Sequence, residues 1–177
     1  MKLVLIGIQG AGKSTQGNML ADEFKIPYLS SGHIFREMAK EETAVGKALR
    51  ETLNAGQLVS DEQTLKVVRE YLTKTEYQHG YILDGFPRTL PQAEAFEKDV
   101  DKAIFIDVSD KEALWRISGR VSDRQDETLH AIRQRIELFH ESTEPVIDFY
   151  RDRGMLIQVN GEKPVEEVFK EVMRFLQ

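Results

Sequence analysis

The chain has 177 residues, of which 41% are hydrophobic and 31% are charged, a composition typical of a globular protein with one sizeable core rather than of a disordered chain. Its net charge of −6 argues against a general nucleic-acid or membrane surface, and it has no cysteine for a disulfide or a thiolate zinc site. No run of about 18 apolar residues is present, so a membrane-spanning helix is excluded. The N-terminal residues show no cleavable signal pattern, and we therefore expect a cytoplasmic protein.

Short apolar runs alternate with helical patterns along the chain. The runs lack the period-2 alternation of half-exposed strands, which indicates buried parallel strands. They occupy residues 3–6, 81–83, 103–108 and 155–159, with a weaker run at 26–29. Helices are predicted for residues 14–24, 61–72 and 111–118, and from near Pro164 to the C-terminus. This alternation predicts an α/β fold with a parallel five-stranded sheet flanked by helices.

Two regions depart from the simple alternation. Residues 126–151 carry apolar side chains at helical spacing, and Pro145 inside this stretch predicts a kink or a break. Residues 31–59 contain no clear strand and are interpreted as a small helical insertion attached to the sheet. We therefore expect a single domain over residues 1–177 that carries an insertion at residues 30–59.

The strongest chemical signal is a glycine-rich segment between the first predicted strand and the first predicted helix. Gly7-Ile8-Gln9-Gly10-Ala11-Gly12-Lys13-Ser14 matches the pattern G-x-x-x-x-G-K-[ST] of a phosphate-binding loop (P-loop) in full. Glycines let the loop turn its backbone N–H groups toward phosphate oxygens, and the following helix N-terminus adds more. Lys13 is predicted to bridge the β- and γ-phosphates, and Ser14 or Thr15 to hold Mg²⁺. A glycine-rich turn with a purely structural role is the alternative.

Asp84 follows the predicted strand at residues 81–83. The end of a buried strand is where a nucleotide-binding fold places a carboxylate toward Mg²⁺ or its waters. A turn or helix-capping role is the alternative, because Asp is common at strand ends for those reasons as well.

Several segments, spread over nearly the whole chain, carry a resemblance to a known family. Residues 7–16 resemble G-x-P-G-A-G-K-G-T-Q, residues 30–36 resemble S-T-G-D-x-x-R, and residues 56–62 resemble G-x-L-V-x-D-E. Residues 84–93 closely match the segment that binds a nucleoside monophosphate in this family. Residues 124–135 and 143–147 resemble its arginine-bearing lid and the helix that follows the lid. On these segments the chain resembles the nucleoside monophosphate kinases, and specifically the adenylate kinases.

The resemblance implies reversible transfer of a phosphoryl group from ATP to AMP, giving two ADP, with Mg²⁺ as cofactor. A monophosphate held beside a triphosphate needs several fixed cations, and arginine suits bidentate phosphate recognition. The residues implied in catalysis are Lys13, Arg88, Arg120, Arg124 and Arg135. Arg124 and Arg135 are 11 positions apart and would share one helix face if the helix is continuous between them.

The implied nucleotide contacts form two groups. The ATP group is Gly10, Ala11, Gly12, Lys13, Ser14, Thr15, Arg120 and Lys163, and the metal group is Ser14, Thr15 and Asp84, partly through water. The AMP group is Ser31, Arg36, Gln57, Leu58, Val59, Gly85, Phe86, Pro87, Arg88, Gln92, Arg124 and Arg135. Within it, the Gln92 amide can donate and accept at once, which fits an adenine edge.

Two positions and one segment depart from the family pattern. Ser14 stands where Gly is usual, which keeps the general phosphate-loop pattern. His33 stands where Asp is usual, which favours a capping or surface role, with a pH effect on the monophosphate site as the alternative. Only residues 121–123 separate Arg120 from Arg124, so the lid at residues 120–124 is predicted to be very short. Without cysteines, and with four histidines that lack metal-ligand spacing, no zinc is expected.

Two alternatives remain open at the level of the sequence. A kinase for UMP, CMP or another monophosphate would share most of the motifs, although Gln92 favours AMP. An ATP-binding switch or scaffold protein without turnover would have no use for a second phosphate site with its own arginines. We expect ATP, AMP and ADP as the partners of a monomer that acts in nucleotide biosynthesis, with no nucleic acid and no membrane.

Overall fold

The computed structural model describes residues 1–119 and 128–177, and five parallel strands form one sheet within these residues. The strands are β1 (Lys2–Ile6), β2 (Tyr28–Ser30), β3 (Tyr81–Asp84), β4 (Lys102–Asp107) and β5 (Leu156–Asn160), in the order β2-β3-β1-β4-β5. The register pairs Leu5 of β1 and Ser30 of β2 with Asp84 of β3. The carboxyl ends of the three strands therefore meet at one edge, and the predicted α/β fold is confirmed.

Helices cover both faces of this sheet. They are α1 (Lys13–Phe24), α2 (Ser31–Met38), α3 (Ala44–Asn54), α4 (Asp61–Leu72), α5 (Leu90–Phe96), α6 (Asp110–Ser118), α7 (Leu129–Leu138), α8 (Glu144–Asp152) and α9 (Val165–Leu176). Six of them begin after a Ser or Thr whose side chain accepts a hydrogen bond from a backbone N–H of the first turn, which satisfies one of the groups left open there. These caps are Ser30, Thr43, Ser60, Thr89, Ser109 and Thr128.

The sheet separates two hydrophobic clusters, which explains why its strands are continuously apolar. Val4 and Ile6 of β1 belong to the cluster formed with α2, α3, α4, α5 and α8. Leu3 and Leu5 point to the other face and belong to the cluster formed with α1, α6, α7 and α9. Because both faces are covered, both sets of alternate residues in a strand are buried.

The helical pattern at residues 126–151, for which the sequence predicted a kink or a break at Pro145, is interrupted in the structure. The structure has α7, then a π-helical segment at Phe139–Thr143, then α8 with Pro145 in its first turn. Proline is tolerated there because its missing N–H has no acceptor in the first turn of a helix. The predicted interruption is therefore confirmed.

The helix that carries Arg135 begins at Leu129, after the extended N-cap Thr128. The condition for a shared face, one continuous helix from Arg124 to Arg135, is therefore not met. Arg120, Arg124 and the predicted lid at residues 120–124 lie outside the described residues. Among the described helices, none has the length and apolar character needed to cross a membrane.

Candidate active site

A cavity of about 400 Å³ lies at the carboxyl ends of β1, β2 and β3. The connection from β1 through α1 leads past β3 to β2 at one edge of the sheet. The connection from β3 runs in the opposite direction, past β1 to β4. Ligands of open parallel sheets bind at such a reversal of strand order. The lining side chains come from the phosphate loop, from residues 28–36 and 57–59, from residues 84–92, and from α7 and the π-helical segment.

The phosphate loop joins β1 to α1 and lines this cavity through Gly7, Gly10 and Gly12. Gly10 has φ +90°, and a Cβ on it would lie 2.8 Å from the Ala113 carbonyl oxygen, so only glycine fits against α6 there. The Lys13 Nζ donates to the carbonyl oxygens of Gly7 at 2.8 Å and Ile8 at 3.0 Å. The ammonium group therefore lies against the phosphate loop, at the first two residues of the motif.

The carboxylate of Asp84 is held at the base of the cavity, where it is 9% exposed. Its Oδ2 accepts a hydrogen bond of 2.6 Å from the Tyr28 hydroxyl on the adjacent strand β2. Its Oδ1 is buried and has no hydrogen-bond partner among residues 1–119 and 128–177. Burial, and the Asp84 carboxylate beside it, raise the pKa of Tyr28 far above its usual value, so the phenol remains a donor.

Of the two predicted metal-binding hydroxyls, Ser14 lines the same cavity as Asp84. Thr15 instead lines a smaller cavity of about 70 Å³, together with Ala11 and Lys163. In the parts of the chain that the structure describes, no three His, Cys, Asp or Glu side chains are grouped so as to hold a metal ion. The Asp84 carboxylate and the Ser14 hydroxyl in one cavity nevertheless fit Mg²⁺, because hard cations take oxygen ligands and Mg²⁺ keeps several waters.

Two arginines predicted to bind the monophosphate converge on one glycine. A Cβ on Gly32 would lie 3.1 Å from Arg36 Nη1 and 3.8 Å from Arg88 Nη2. The Arg88 Nε donates to the Gly85 carbonyl oxygen at 2.8 Å, and Ser31 Oγ donates to the same oxygen at 2.8 Å. The absence of a side chain at Gly32 therefore leaves space beside two guanidinium groups, an arrangement suited to a phosphate dianion.

Arg88 is fixed through its backbone by neighbouring polar side chains. Its N–H donates to Gln92 Oε1 at 2.8 Å, and its carbonyl oxygen accepts from Thr143 Oγ1 at 2.9 Å. Gln92 Nε2 and Thr89 Oγ1 both donate to Asp61 Oδ1, at 2.8 and 2.7 Å. The Gln92 amide thus supports the segment around Arg88 with its carbonyl oxygen and one N–H group.

The other predicted AMP residues are distributed unequally. Gln57, Leu58, Val59, Gly85 and Pro87 line the cavity. The Phe86 side chain instead lies in the core, with its ring edge-to-face against Phe96 at a centroid distance of 5.0 Å. Any contact of Phe86 with a ligand in the cavity would therefore come from its backbone.

Arg135 reaches the cavity from α7 and joins it to two other elements. Its Nη1 donates to Gln9 Oε1 of the phosphate loop at 3.2 Å, and its Nη2 donates to the Leu53 carbonyl oxygen of α3 at 3.0 Å. His33 also lines the cavity, and its backbone N–H is capped by Ser30 Oγ. Lys163 is exposed at the smaller cavity and pairs with Glu171 at 2.7 Å.

Sequence reasoning missed two residues of this site, Gln9 and Tyr28. Gln9 stands at the position where the family pattern has Pro, and that difference was an available signal. Tyr28 has no signal in the sequence. Its ring occupies the space that Gly17 leaves, since a Cβ on Gly17 would lie 2.5 Å from it, and only the three-dimensional structure connects the two residues.

A phosphate loop, a strand-end carboxylate and a convergent arginine pair in one cavity define a P-loop nucleotide-binding protein with a second phosphate site. The sequence model of the family described as adenylate kinase matches residues 5–155. The chain is similar to the adenylate kinase of Caldicellulosiruptor bescii, with 34% identity over an alignment of 212 positions that covers 99% of this chain and 99% of that protein. It is equally similar to the adenylate kinases of Clostridium botulinum strain Hall and Bacillus velezensis, with 34% identity over 99% of this chain and 98% of each relative. The chain belongs to the adenylate kinase family.

Proposed function

We propose that the chain is an ATP:AMP phosphotransferase that converts ATP and AMP into two ADP. The single observation that carries this proposal is that the phosphate loop with Lys13 and the arginine pair Arg36 and Arg88 line the same cavity. A triphosphate on the loop and a monophosphate beside the arginines would face each other across this space. Family membership supports the same assignment.

The reaction needs alignment and charge stabilisation rather than a covalent enzyme intermediate. An oxygen of the AMP phosphate attacks the γ-phosphorus of ATP, and the bond from that phosphorus to the β–γ bridging oxygen breaks. Lys13 would stabilise the charge on the transferring group, and Arg36 and Arg88 would orient the acceptor in line with the breaking bond. Arg88, Arg135 and, outside the described residues, Arg120 and Arg124 are proposed to complete the set of cations.

Asp84 and Ser14 are the described residues that would hold Mg²⁺, Ser14 through its hydroxyl and Asp84 directly or through water. Bound Mg²⁺ neutralises phosphate charge. The short Tyr28 hydrogen bond occupies Asp84 Oδ2, so Oδ1 would be the oxygen available to Mg²⁺ or to its waters. Thr15 is the weaker candidate ligand, because it lines the smaller cavity.

The smaller cavity supports a position for the ATP base. Lys163, which the family resemblance implies as a contact of ATP, lines it together with Ala11, Gly12 and Thr15 of the phosphate loop, and we propose that its backbone contacts the base. On the acceptor side, Gln57, Leu58, Val59 and Gln92 would frame the adenine of AMP. We further propose that residues 30–59 act as a mobile monophosphate-binding unit and that the protein works as a cytoplasmic monomer.

The test is ADP formation from ATP and a panel of acceptors, AMP, CMP, UMP, GMP and dAMP, with Mg²⁺. We expect AMP to be the best acceptor, and Lys13→Met to lower kcat by roughly 10²–10³-fold while the protein stays folded. Lys170→Met removes an exposed lysine of α9 and is the matched control. Faster phosphorylation of CMP or UMP would move the protein to another kinase of the same class. Near-normal turnover in folded Lys13→Met would overturn the role of the phosphate loop.

A further inference from the structure

Gln9 brings a neutral side-chain oxygen of the phosphate loop to a cation on a distant helix. Its Oε1 accepts from Arg135 Nη1 at 3.2 Å, across 126 positions of the chain. Both residues line the main cavity, so the contact lies beside the space in which the phosphates would meet. The other end of the guanidinium donates to the Leu53 carbonyl oxygen at 3.0 Å.

The backbone holds these three elements close together. A Cβ on Gly56 would lie 2.5 Å from the Ala131 carbonyl oxygen, so the turn after α3 packs directly against α7. Ala131 and Arg135 are four positions apart and share one face of α7, which brings Arg135 to this turn. Leu53 belongs to the last turn of α3, whose carbonyl groups attract a cation.

The chemistry of the contact suits an arginine that must remain available to phosphate. A guanidinium carries five N–H donors in a fixed fork, so one arginine can donate orienting hydrogen bonds and make phosphate contacts in the same plane. A carboxylate at position 9 would neutralise the arginine and repel phosphate, whereas a carboxamide oxygen orients the cation without cancelling its charge. It also restricts a long side chain that otherwise loses conformational entropy when it binds.

We propose that Gln9 is a positioning residue for Arg135, holding its guanidinium between the phosphate loop and the end of α3 before the nucleotides bind. The inference rests on the proposed function, since it takes Arg135 to contact the transferring phosphoryl group. Gln9 does not itself perform a chemical step. It acts through Arg135, and its contribution therefore depends on the presence of that side chain.

The experiment is a double-mutant cycle measured by ADP formation from ATP and AMP. The variants are Gln9→Met, which keeps side-chain length and removes the amide, Arg135→Ala and the combination, with Gln9→Ala as a second form of the first change. We expect Gln9→Met to lower kcat about tenfold with KM for both nucleotides changed less than about threefold, because a hydrogen bond to a charged group is lost. In the Arg135→Ala background the same change should alter kcat less than about twofold.

The controls distinguish positioning of Arg135 from a loss of folding and from failure of the proposed function. Gln158→Met, an exposed change on β5, should leave kcat unaltered, and thermal unfolding shows that each variant is folded. An equal loss of kcat with and without Arg135 would overturn positioning through Arg135, as would unchanged kcat in both Gln9 variants. A wild-type protein that makes no ADP from AMP would instead overturn the proposed function, and the inference with it.

Discussion

At the scale of single residues, Tyr28 of β2 shows how a side chain on one strand fixes the carboxylate of Asp84 on the neighbouring strand β3. Its hydroxyl donates to Asp84 Oδ2, and its raised pKa keeps that proton in place at every working pH. Gly17 of α1 makes room for the ring. The other carboxylate oxygen, Asp84 Oδ1, is buried and lacks a hydrogen-bond partner within the described part of the chain.

Removing this donor gives a prediction about stability. Tyr28→Phe should lower the free energy of unfolding by about 1–3 kcal/mol, because a buried carboxylate oxygen then lacks its hydrogen bond. Mg²⁺ with ATP should restore part of the loss if Asp84 interacts with the metal. The measurement is urea unfolding of wild type and variant with and without Mg²⁺ and ATP.

Tyr71→Phe, on α4 and away from the lining of the main cavity, is the matched control for this experiment. A loss in Tyr28→Phe no greater than in Tyr71→Phe would show that the Tyr28 hydroxyl does not support Asp84. An equal loss with and without Mg²⁺ and ATP would argue against a link between Asp84 and the metal.

Single residues also mark the limit of what the sequence predicts about the site. Lys13, Arg36 and Arg88 could be found because each sits in a local motif whose spacing already fixes the backbone around it. The contact of Gln9 with Arg135 spans 126 positions and that of Tyr28 with Asp84 spans 56, so no local pattern encodes either pair. Such contacts become visible only once the sheet and α7 are assembled.

At the scale of elements, the π-helical segment Phe139–Thr143 is the feature that helical periodicity did not predict. The apolar spacing before and after it is helical, so the stretch resembles one helix with an interruption at Pro145. The segment places His140 between two other helices: its Nδ1 lies 2.6 Å from Glu144 of α8, and its Nε2 lies 2.9 Å from Asp110 of α6.

This arrangement makes part of the stability depend on pH. The hydrogen bond to Glu144, followed by the interactions with Asp110, raises the pKa of His140 above its usual 6.5. The protonated form is thus favoured by folding, so its contribution is fully present below about pH 6.5 and is lost as the pH rises through the folded-state pKa. His140→Gln should therefore lower Tm by a few degrees at pH 6 and by less at pH 9, a modest effect because the ring is half exposed.

The measurement is the difference in Tm between wild type and variant at the two pH values. Exposed His79→Gln is the control for loss of a histidine as such. A difference that is constant from pH 6 to pH 9, or one that grows with pH, would contradict the role of the protonated ring between Asp110 and Glu144.

At the scale of the whole molecule, the sequence predicted the layers of the fold better than their arrangement. Continuous apolar runs such as residues 3–6 identified strands buried on both faces, and Leu3 and Val4 do belong to opposite clusters. The weak run at residues 26–29 became β2 only from Tyr28, because its place at the sheet edge comes from pairing with β3 rather than from its own pattern. Strand order likewise follows from tertiary packing.

The position of the cavity at the edge of the sheet raises the question of how water is kept away from the phosphates. A phosphoryl group in transfer is open to water unless the site closes over it. Ser31 and Arg36 of α2 and residues 57–59 after α3 line the cavity, so movement of this helix pair would alter access to the phosphates. Arg36 of α2 is proposed to hold the AMP phosphate, which would couple AMP binding to that movement.

We therefore expect AMP to suppress any slow hydrolysis of ATP by water, since on this proposal bound AMP would close the helix pair and supply a better-placed nucleophile. Arg36→Ala should raise the AMP concentration needed for suppression by roughly tenfold or more, because a charge-assisted contact to phosphate is lost. The measurement is inorganic phosphate released compared with ADP formed, over a range of AMP concentrations. Arg174→Ala, an exposed arginine of α9, controls for loss of charge. Phosphate release that AMP leaves untouched would rule out closure by α2 and α3, and an unchanged AMP requirement in Arg36→Ala would remove Arg36 from the acceptor site.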